Sequence, residues 1–342
     1  MTALAPAPAA HPGARLIDPS VLARIGNLEL IARAVVEGVL NGLHKSPHLG
    51  SSMDFAEHRA YMPGDDIRRI DWKLFGRSDR HYIKEFEADT NTNFTVMLDT
   101  SRSMRFGATP DGSRLSKLEY GRYLAACLSY LSSKQRDRVG LVTFDQEVAG
   151  YVPPSAKHLN AVLLTLDRIE TGLRSSEPAH TAYDRRSGAR PSTQRPSRQA
   201  PTRATAPLSS ITKRLAESFR RRSIIVVISD FYEDPGEVLD ALAYLRGKGN
   251  DLIVFHLLDK QELEFPFTES ASFVDLETGE RMPVIPEYLR RQYRELITAH
   301  TASLSKVLAG SRIDYALFDT SKPLDHALFA YLSTRERLKR IR

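Results

Sequence analysis

The chain has 342 residues, 42% of them hydrophobic and 26% charged, a balance that suits a folded globular protein and excludes a disordered or collagen-like chain. One cysteine, Cys127, excludes an internal disulfide and a cysteine-built zinc cage. The formal charge of +6 matches six arginines (Arg185, Arg186, Arg190, Arg195, Arg198 and Arg203) in a stretch without acidic residues, so the rest is near neutral and no folded basic face is implied.

Residues 1–17 are rich in Ala and Pro and are expected to be disordered. They lack the basic and apolar regions of a signal peptide, and no run of 18 or more apolar residues follows, so a cytoplasmic location without a membrane span is expected. Asp18-Pro19 has the form of a helix cap followed by Pro in the first turn. From there Val21, Leu22, Ile25, Leu28, Ala32, Val35, Val36, Val39 and Leu43 recur at helical spacing, predicting an amphipathic helix that docks on the main domain. Residues 18–91 as a whole are read as an extension that packs on a main domain over 92–342.

In the main domain, apolar strands alternate with amphipathic helices. Strands are predicted at 94–98, 138–144, 223–229, 251–258 and 313–318. Helices are predicted at 118–131, 158–169, 211–219, 238–245, 287–308 and from Leu324 onward. Apolar strands between helices call for a mostly parallel sheet covered on both faces, a doubly wound α/β fold of Rossmann type. Two segments interrupt the alternation. Residues 174–207 carry Ser, Thr, Pro and Arg with almost no large apolar side chain, and read as a disordered insertion. Residues 270–286 have strand-like stretches on either side of Glu277-Thr278-Gly279-Glu280, which predicts an inserted hairpin. Cys127 lies in a helix-like apolar stretch and reads as a buried small hydrophobe.

Ligands of open α/β sheets collect at the carboxyl ends of the strands. Two acidic loops fall there: Asp99-Thr100-Ser101-Arg102-Ser103 after the first strand, and Asp230-Phe231-Tyr232-Glu233-Asp234 after the third. If the first loop is extended, Asp99, Ser101 and Ser103 point to one side and offer a carboxylate and two hydroxyls. An all-oxygen set of this kind suits Mg²⁺ or Mn²⁺, with waters and an incoming carboxylate completing the shell. An Asx-turn or a helix cap is the simpler reading of an isolated Asp-x-Ser-x-Ser, but the second acidic loop at the same sheet edge favours the metal.

Val96-Met97-Leu98-Asp99-Thr100-Ser101-Arg102-Ser103-Met104 resembles the metal-ion-dependent adhesion site of von Willebrand A domains. Tyr61-Met62-Pro63-Gly64-Asp65-Asp66-Ile67-Arg68-Arg69-Ile70-Asp71-Trp72-Lys73, together with residues 82–87, is similar to a bacterial family called domain of unknown function 58. The likeness continues through Ile228-Ser229-Asp230-Phe231, residues 275–281 and residues 314–320. The resemblance implies that Asp99, Ser101 and Ser103 form the first metal loop and Asp230 the third. The second loop of such sites supplies a threonine just before a helix. Thr205 matches best, since Leu208 and Ile211 then fall on apolar helix positions, while Ala204 replaces the usual glycine and Thr202 and Thr181 are alternatives. The Pro63–Lys73 stretch concentrates carboxylates beside arginines, and a structural turn with local ion pairs is favoured there over an acid–base dyad.

The expected function is a non-enzymatic, metal-dependent protein-interaction module, in which the cation takes an acidic side chain from a partner. The resemblance implies an AAA+ ATPase of MoxR type as that partner, with the pair acting in assembly or maturation of a third protein. Two rivals are a metal-dependent hydrolase or phosphotransferase, and nucleic-acid binding through the arginines of 174–207. The first lacks an Asp-x-Asp pair, a Gly-rich phosphate loop and a nucleophile elbow. The second lacks interleaved aromatics.

Overall fold

The computed structural model describes residues 27–44, 57–61, 75–76, 81–85, 92–109, 114–169, 207–218, 221–325, 327–328 and 331–332. Its centre is a six-stranded sheet built from β3 (Asn93–Asp99), β4 (Arg138–Phe144), β5 (Val148–Ser155), β6 (Ser223–Ser229), β7 (Asp251–Leu258) and β10 (Asp314–Asp319), in the order β10-β7-β6-β3-β4-β5. All neighbouring pairs are parallel except β4 and β5. The doubly wound, mostly parallel α/β architecture expected from the sequence is therefore the observed one.

β6 shows why its sequence makes a central strand. Ser223-Ile224-Ile225-Val226-Val227-Ile228-Ser229 is buried at every position. Such β-branched runs fit a strand covered on both faces, where each fully buried aliphatic side chain contributes about 1.5–3 kcal/mol. Alternate residues enter two separate cores. Phe94, Val96 and Leu98 of β3, with Ile224, Val226 and Ile228 of β6, join one. Met97, Ile225 and Val227 join the other.

The first core is covered by α1 (Leu28–His44), α2 (Lys117–Lys134) and α3 (Leu159–Asp167), with Leu324, Ala327, Leu328 and Tyr331 near the chain's end. The second is covered by α4 (Pro207–Ser218), α5 (Pro235–Gly247) and the end of α7 (Pro286–Gly310), through Leu304 and Leu308. Gly121 brings α2 down onto the sheet: a Cβ there would lie 3.0 Å from Leu98 Cδ1.

Helix α1 begins at Leu28, where Asn27 Oδ1 accepts from the amides of Glu29 at 3.0 Å and Leu30 at 3.1 Å. Ile31, Ala32, Val35, Val36 and Val39 are buried, as the spacing requires of a docked face. The expected cap at Asp18-Pro19 lies outside the described residues, as do residues 1–17, the Pro63–Lys73 motif and residues 174–206. β1 (Glu57–Ala60) and β2 (Tyr82–Glu85), on either side of that motif, pair antiparallel. The inserted hairpin is present as β8 (Ala271–Val274) and β9 (Arg281–Val284), preceded by the short α6 (Lys260–Glu264).

Three strands go beyond the sequence reading: β1, β2 and β5. β5 carries Gly150, Pro153 and Pro154 and closes one edge of the sheet antiparallel to β4. Proline is tolerated at a sheet edge because no further strand needs its missing N–H.

From β3 the chain winds to β4 and β5 on one side of the sheet, then returns to place β6, β7 and β10 on the other. The winding direction reverses between β3 and β6. That is the position at which an open α/β sheet leaves a crevice outside its carboxyl ends.

Candidate metal centre

Asp99 ends β3 and is 7% exposed. Its Oδ1 accepts from the Ser101 amide at 2.8 Å, and its Oδ2 accepts from Ser229 Oγ at 2.6 Å. Thr100 turns the other way, with both its amide and its hydroxyl donating to Phe144 O on β4, at 2.7 and 2.9 Å. Ser101 Oγ and Ser103 Oγ lie 3.1 Å apart. Asp99, Ser101 and Ser103 are thus brought together, though not by an extended segment. Arg102 has φ −66° and ψ −32°, and a 3₁₀ turn over Ser103–Arg105 follows. The turn carries the two hydroxyls to one place, and the fully buried Met104 anchors it to the core.

Asp230 follows β6 and is 3% exposed. The turn after it is unusual, because Phe231 has φ +42°, a left-handed conformation that costs a non-glycine residue about 1–2 kcal/mol. Tertiary contacts hold it there. The Phe231 amide donates to Ser229 Oγ at 3.2 Å, its carbonyl is 2.7 Å from His300 Nε2, and its ring is fully buried against His256.

The sequence reading did not single out the partner of Asp230. Lys117, in the first turn of α2, is fully buried and places Nζ 2.8 Å from Asp230 Oδ2 and 2.6 Å from Glu262 Oε1. Nζ also lies 4.8 Å from the centroid of the Tyr232 ring. Burial works against the ammonium, but Asp230 and Glu262 outweigh it and hold the Lys117 pKa above its ordinary value. Glu262 is aimed by a capping box in which its Oε2 accepts from the Asp259 amide at 2.8 Å while Asp259 caps α6. Asp259 is itself held by the Arg114 guanidinium and by Thr320 Oγ1 at 3.2 Å.

Electrostatically, the crevice is a place where negative charge is under-compensated. Burial, and then the charge of Asp230, push the Asp99 carboxyl up to about 7, against the hydrogen bonds from Ser229 and Ser101. Glu233 is also raised, by burial first, with Asp230, Glu237 and Glu277 adding to it. Asp99 and Glu233 are thus both disfavoured in their charged form, which makes this sheet edge a candidate site.

The donor set fits a hard divalent cation. One carboxylate and two hydroxyls meet, all oxygen, without thiol or imidazole. Among the described residues no three His, Cys, Asp or Glu side chains cluster in a way that could hold a metal ion, so a cation here would rest on hydroxyls and one carboxylate rather than an acidic cage. Asp230 has one oxygen already on Lys117 and is close enough to Asp99 for its charge to raise the Asp99 carboxyl. Thr205, with Thr202 and Thr181, lies outside the described residues. The helix used to choose Thr205 does follow it: α4 starts at Pro207 with Leu208 and Ile211 buried.

Cys127 is fully buried in α2, and burial pushes its thiol up to about 12, as befits a core residue rather than a nucleophile.

The model of the family described as "Protein of unknown function DUF58" matches residues 57–303, well over half of the chain. The chain belongs to the DUF58 family. Curated relatives include the uncharacterized protein Mb1516 of Mycobacterium bovis and the uncharacterized protein Rv1480 of Mycobacterium tuberculosis. Each is 24% identical over 300 residues, covering 86% of this chain and 83% of the relative. Among solved structures, this DUF58 chain is similar to an aerotolerance-related membrane protein from Bacteroides fragilis, with TM-score 0.39 and 16% identity over 67% of this chain and 92% of that one. It is also similar to the conserved hypothetical protein BatB from Bacteroides thetaiotaomicron, with TM-score 0.40 and 17% identity over 72% of this chain and 99% of that one. No helix among the described residues of the DUF58 chain is long and apolar enough to cross a membrane.

Proposed function

We propose that this DUF58 protein is a non-enzymatic protein-interaction module that works through a divalent cation, Mg²⁺ or Mn²⁺, at the end of β3. The observation that carries the reading is the pair of hydroxyls, Ser101 Oγ and Ser103 Oγ, 3.1 Å apart beside the buried Asp99 carboxylate at the reversal of the sheet. Asp99, Ser101 and Ser103 would hold the ion, with Thr205 as the candidate from the second loop and Asp230 as a charge near Asp99. The ion would supply Lewis acidity toward an oxygen ligand. With a single protein carboxylate in its shell it keeps net positive charge, and an acidic side chain of a partner is the natural complement.

Each residue has a defined part in this reading. Asp99 supplies the charge, and Ser229 and the Ser101 amide fix the direction in which its two oxygens point. Lys117, a single positive charge shared between Asp230 and Glu262, offsets only part of their combined negative charge, so the crevice stays net acidic toward Asp99. No nucleophile–base pair is required. The resemblance to von Willebrand A domains supports the cation, and the family resemblance supports an AAA+ ATPase of MoxR type as the partner, the two acting in assembly or maturation of a third protein.

The test is binding between the full chain and a MoxR-type ATPase from the same genome, followed by biolayer interferometry in Mg²⁺ and again in EDTA. Binding that requires Mg²⁺ and is lost in Asp99→Ala is expected. Equal affinity in both buffers would overturn the bridging role.

A further inference from the structure

The β8–β9 hairpin is exposed along almost all of its length, yet its turn reaches back to the loop after β3. Glu277 Oε1 accepts from the Ser103 amide at 2.7 Å, joining residues 174 positions apart. The turn presenting Glu277 is fixed from within. Asp275 Oδ1 accepts from the Glu277 amide at 2.9 Å, and Asp275 Oδ2 accepts from the Thr278 hydroxyl at 2.8 Å. The Gly279 amide donates to Asp275 O at 2.8 Å, and Gly279 has φ +74°, which glycine adopts without a Cβ penalty. The Thr278 and Glu277 hydrogen bonds hold the Asp275 carboxyl below its ordinary range. Glu277 is therefore offered to the loop by a formed turn and not by a loose surface strand.

Its destination is already acidic. Asp99 and Asp230 lie in the crevice, and Glu233 senses Asp230, Glu237 and Glu277 together. One backbone amide is a modest return for bringing another carboxylate into that field. A divalent cation on the Asp99 loop converts the repulsion into attraction and gives the hairpin a reason to fold over the loop.

We propose that Glu277 is the chain's own carboxylate for the cation site of the Asp99 loop, filling the approach that an acidic side chain of a partner would use, so that the hairpin caps the loop until a partner displaces it. This rests on reading the Asp99 loop as a cation site. Glu277→Gln is a clean variant, because its side-chain oxygen still accepts the Ser103 amide while the charge is gone.

The experiment titrates Mn²⁺ into the full-length wild type, Glu277→Gln and Asp99→Ala, follows free Mn²⁺ by electron paramagnetic resonance, and measures amide exchange across residues 271–284 with and without Mn²⁺. The wild type should bind, Asp99→Ala should not, and Glu277→Gln should bind about tenfold more weakly, as expected for loss of one charged oxygen ligand. Mn²⁺ should slow exchange in the hairpin of the wild type and leave that of Glu277→Gln unchanged. If Glu277→Gln binds as tightly as the wild type and its hairpin is equally protected, Glu277 merely caps an amide and this inference is overturned, while the cation site stands. If the wild type binds no better than Asp99→Ala, the cation site itself fails and the inference falls with it.

Discussion

Ser229 Oγ donates to Asp99 Oδ2 at 2.6 Å, tying the end of β6 to the end of β3 across the line where the sheet reverses its winding. The same hydroxyl accepts from the Phe231 amide at 3.2 Å, so one serine orients the Asp99 carboxylate and supports the left-handed turn that follows Asp230. Ser229→Ala removes both contacts inside a buried site. It is expected to lower stability by about 1–3 kcal/mol in urea unfolding, the range for a buried polar group deprived of its partner. An unchanged unfolding midpoint would show that the bond to Asp99 does not organise the crevice.

Asp99→Asn should separate function from stability. Burial and Asp230 oppose the negative charge of Asp99, so removing it should leave the cation-free protein as stable as the wild type, or more stable by up to about 1 kcal/mol. The rise in thermal midpoint on adding Mg²⁺, expected for the wild type, should vanish. Equal Mg²⁺ shifts in the two proteins would contradict the role given to Asp99.

Lys117→Met tests the buried ion network. The methionine has similar bulk, but it strands Asp230 and Glu262 without their cation. Breaking a buried pair in this way costs about 3–5 kcal/mol. Adding Glu262→Gln should recover part of the loss. A penalty no larger than that of an exposed lysine substitution would mean that the network contributes little.

His256 gives the protein an acid sensitivity. It is fully buried, with Nδ1 2.8 Å from the Tyr315 hydroxyl, and is packed against Phe231, Tyr315 and His300 near Asp230 and Lys117. Burial pulls its pKa from 6.5 to about 3. A depressed folded-state pKa contributes stability that is present above the unfolded value and is lost as pH falls from about 6.5 toward about 3. The raised Asp99 pKa acts in the opposite direction over part of this range, so the contrast with His256→Gln isolates the histidine. Between neutral pH and about pH 5 the wild type should lose about 1–2 kcal/mol more than the variant, as read by urea unfolding. Parallel losses would remove His256 from the account.

The sequence exposes the sheet because its central strands carry their pattern locally. Phe94 to Leu98, apart from Thr95, and Ile224 to Ile228 are apolar, and both strands are buried on both faces, as a covered parallel strand requires. The Glu277 hairpin is legible for a similar reason, since turn residues stand between strand formers. β5 was missed because an edge strand with Gly150, Pro153 and Pro154 alternates weakly and resembles a loop. The Asp99, Ser101 and Ser103 group was legible as a set, although a 3₁₀ turn and not strand alternation brings the hydroxyls together. Lys117 was not legible. In Ser116-Lys117-Leu118-Glu119 it looks like any solvated residue of a first helical turn, and its burial depends on carboxylates 113 and 145 positions away. Glu277 escaped for the same reason, because its partner is the Ser103 amide and only the folded chain brings the two together.

The central claim is that Asp99, Ser101 and Ser103 hold a divalent cation, and isothermal calorimetric titration of Mg²⁺ into the full-length chain tests it most directly, with Asp99→Ala and Ser101→Ala/Ser103→Ala as controls. The account predicts one saturable site in the wild type that both variants lose while keeping their fold by circular dichroism. Binding that survives both substitutions, or no binding by the wild type, would contradict it.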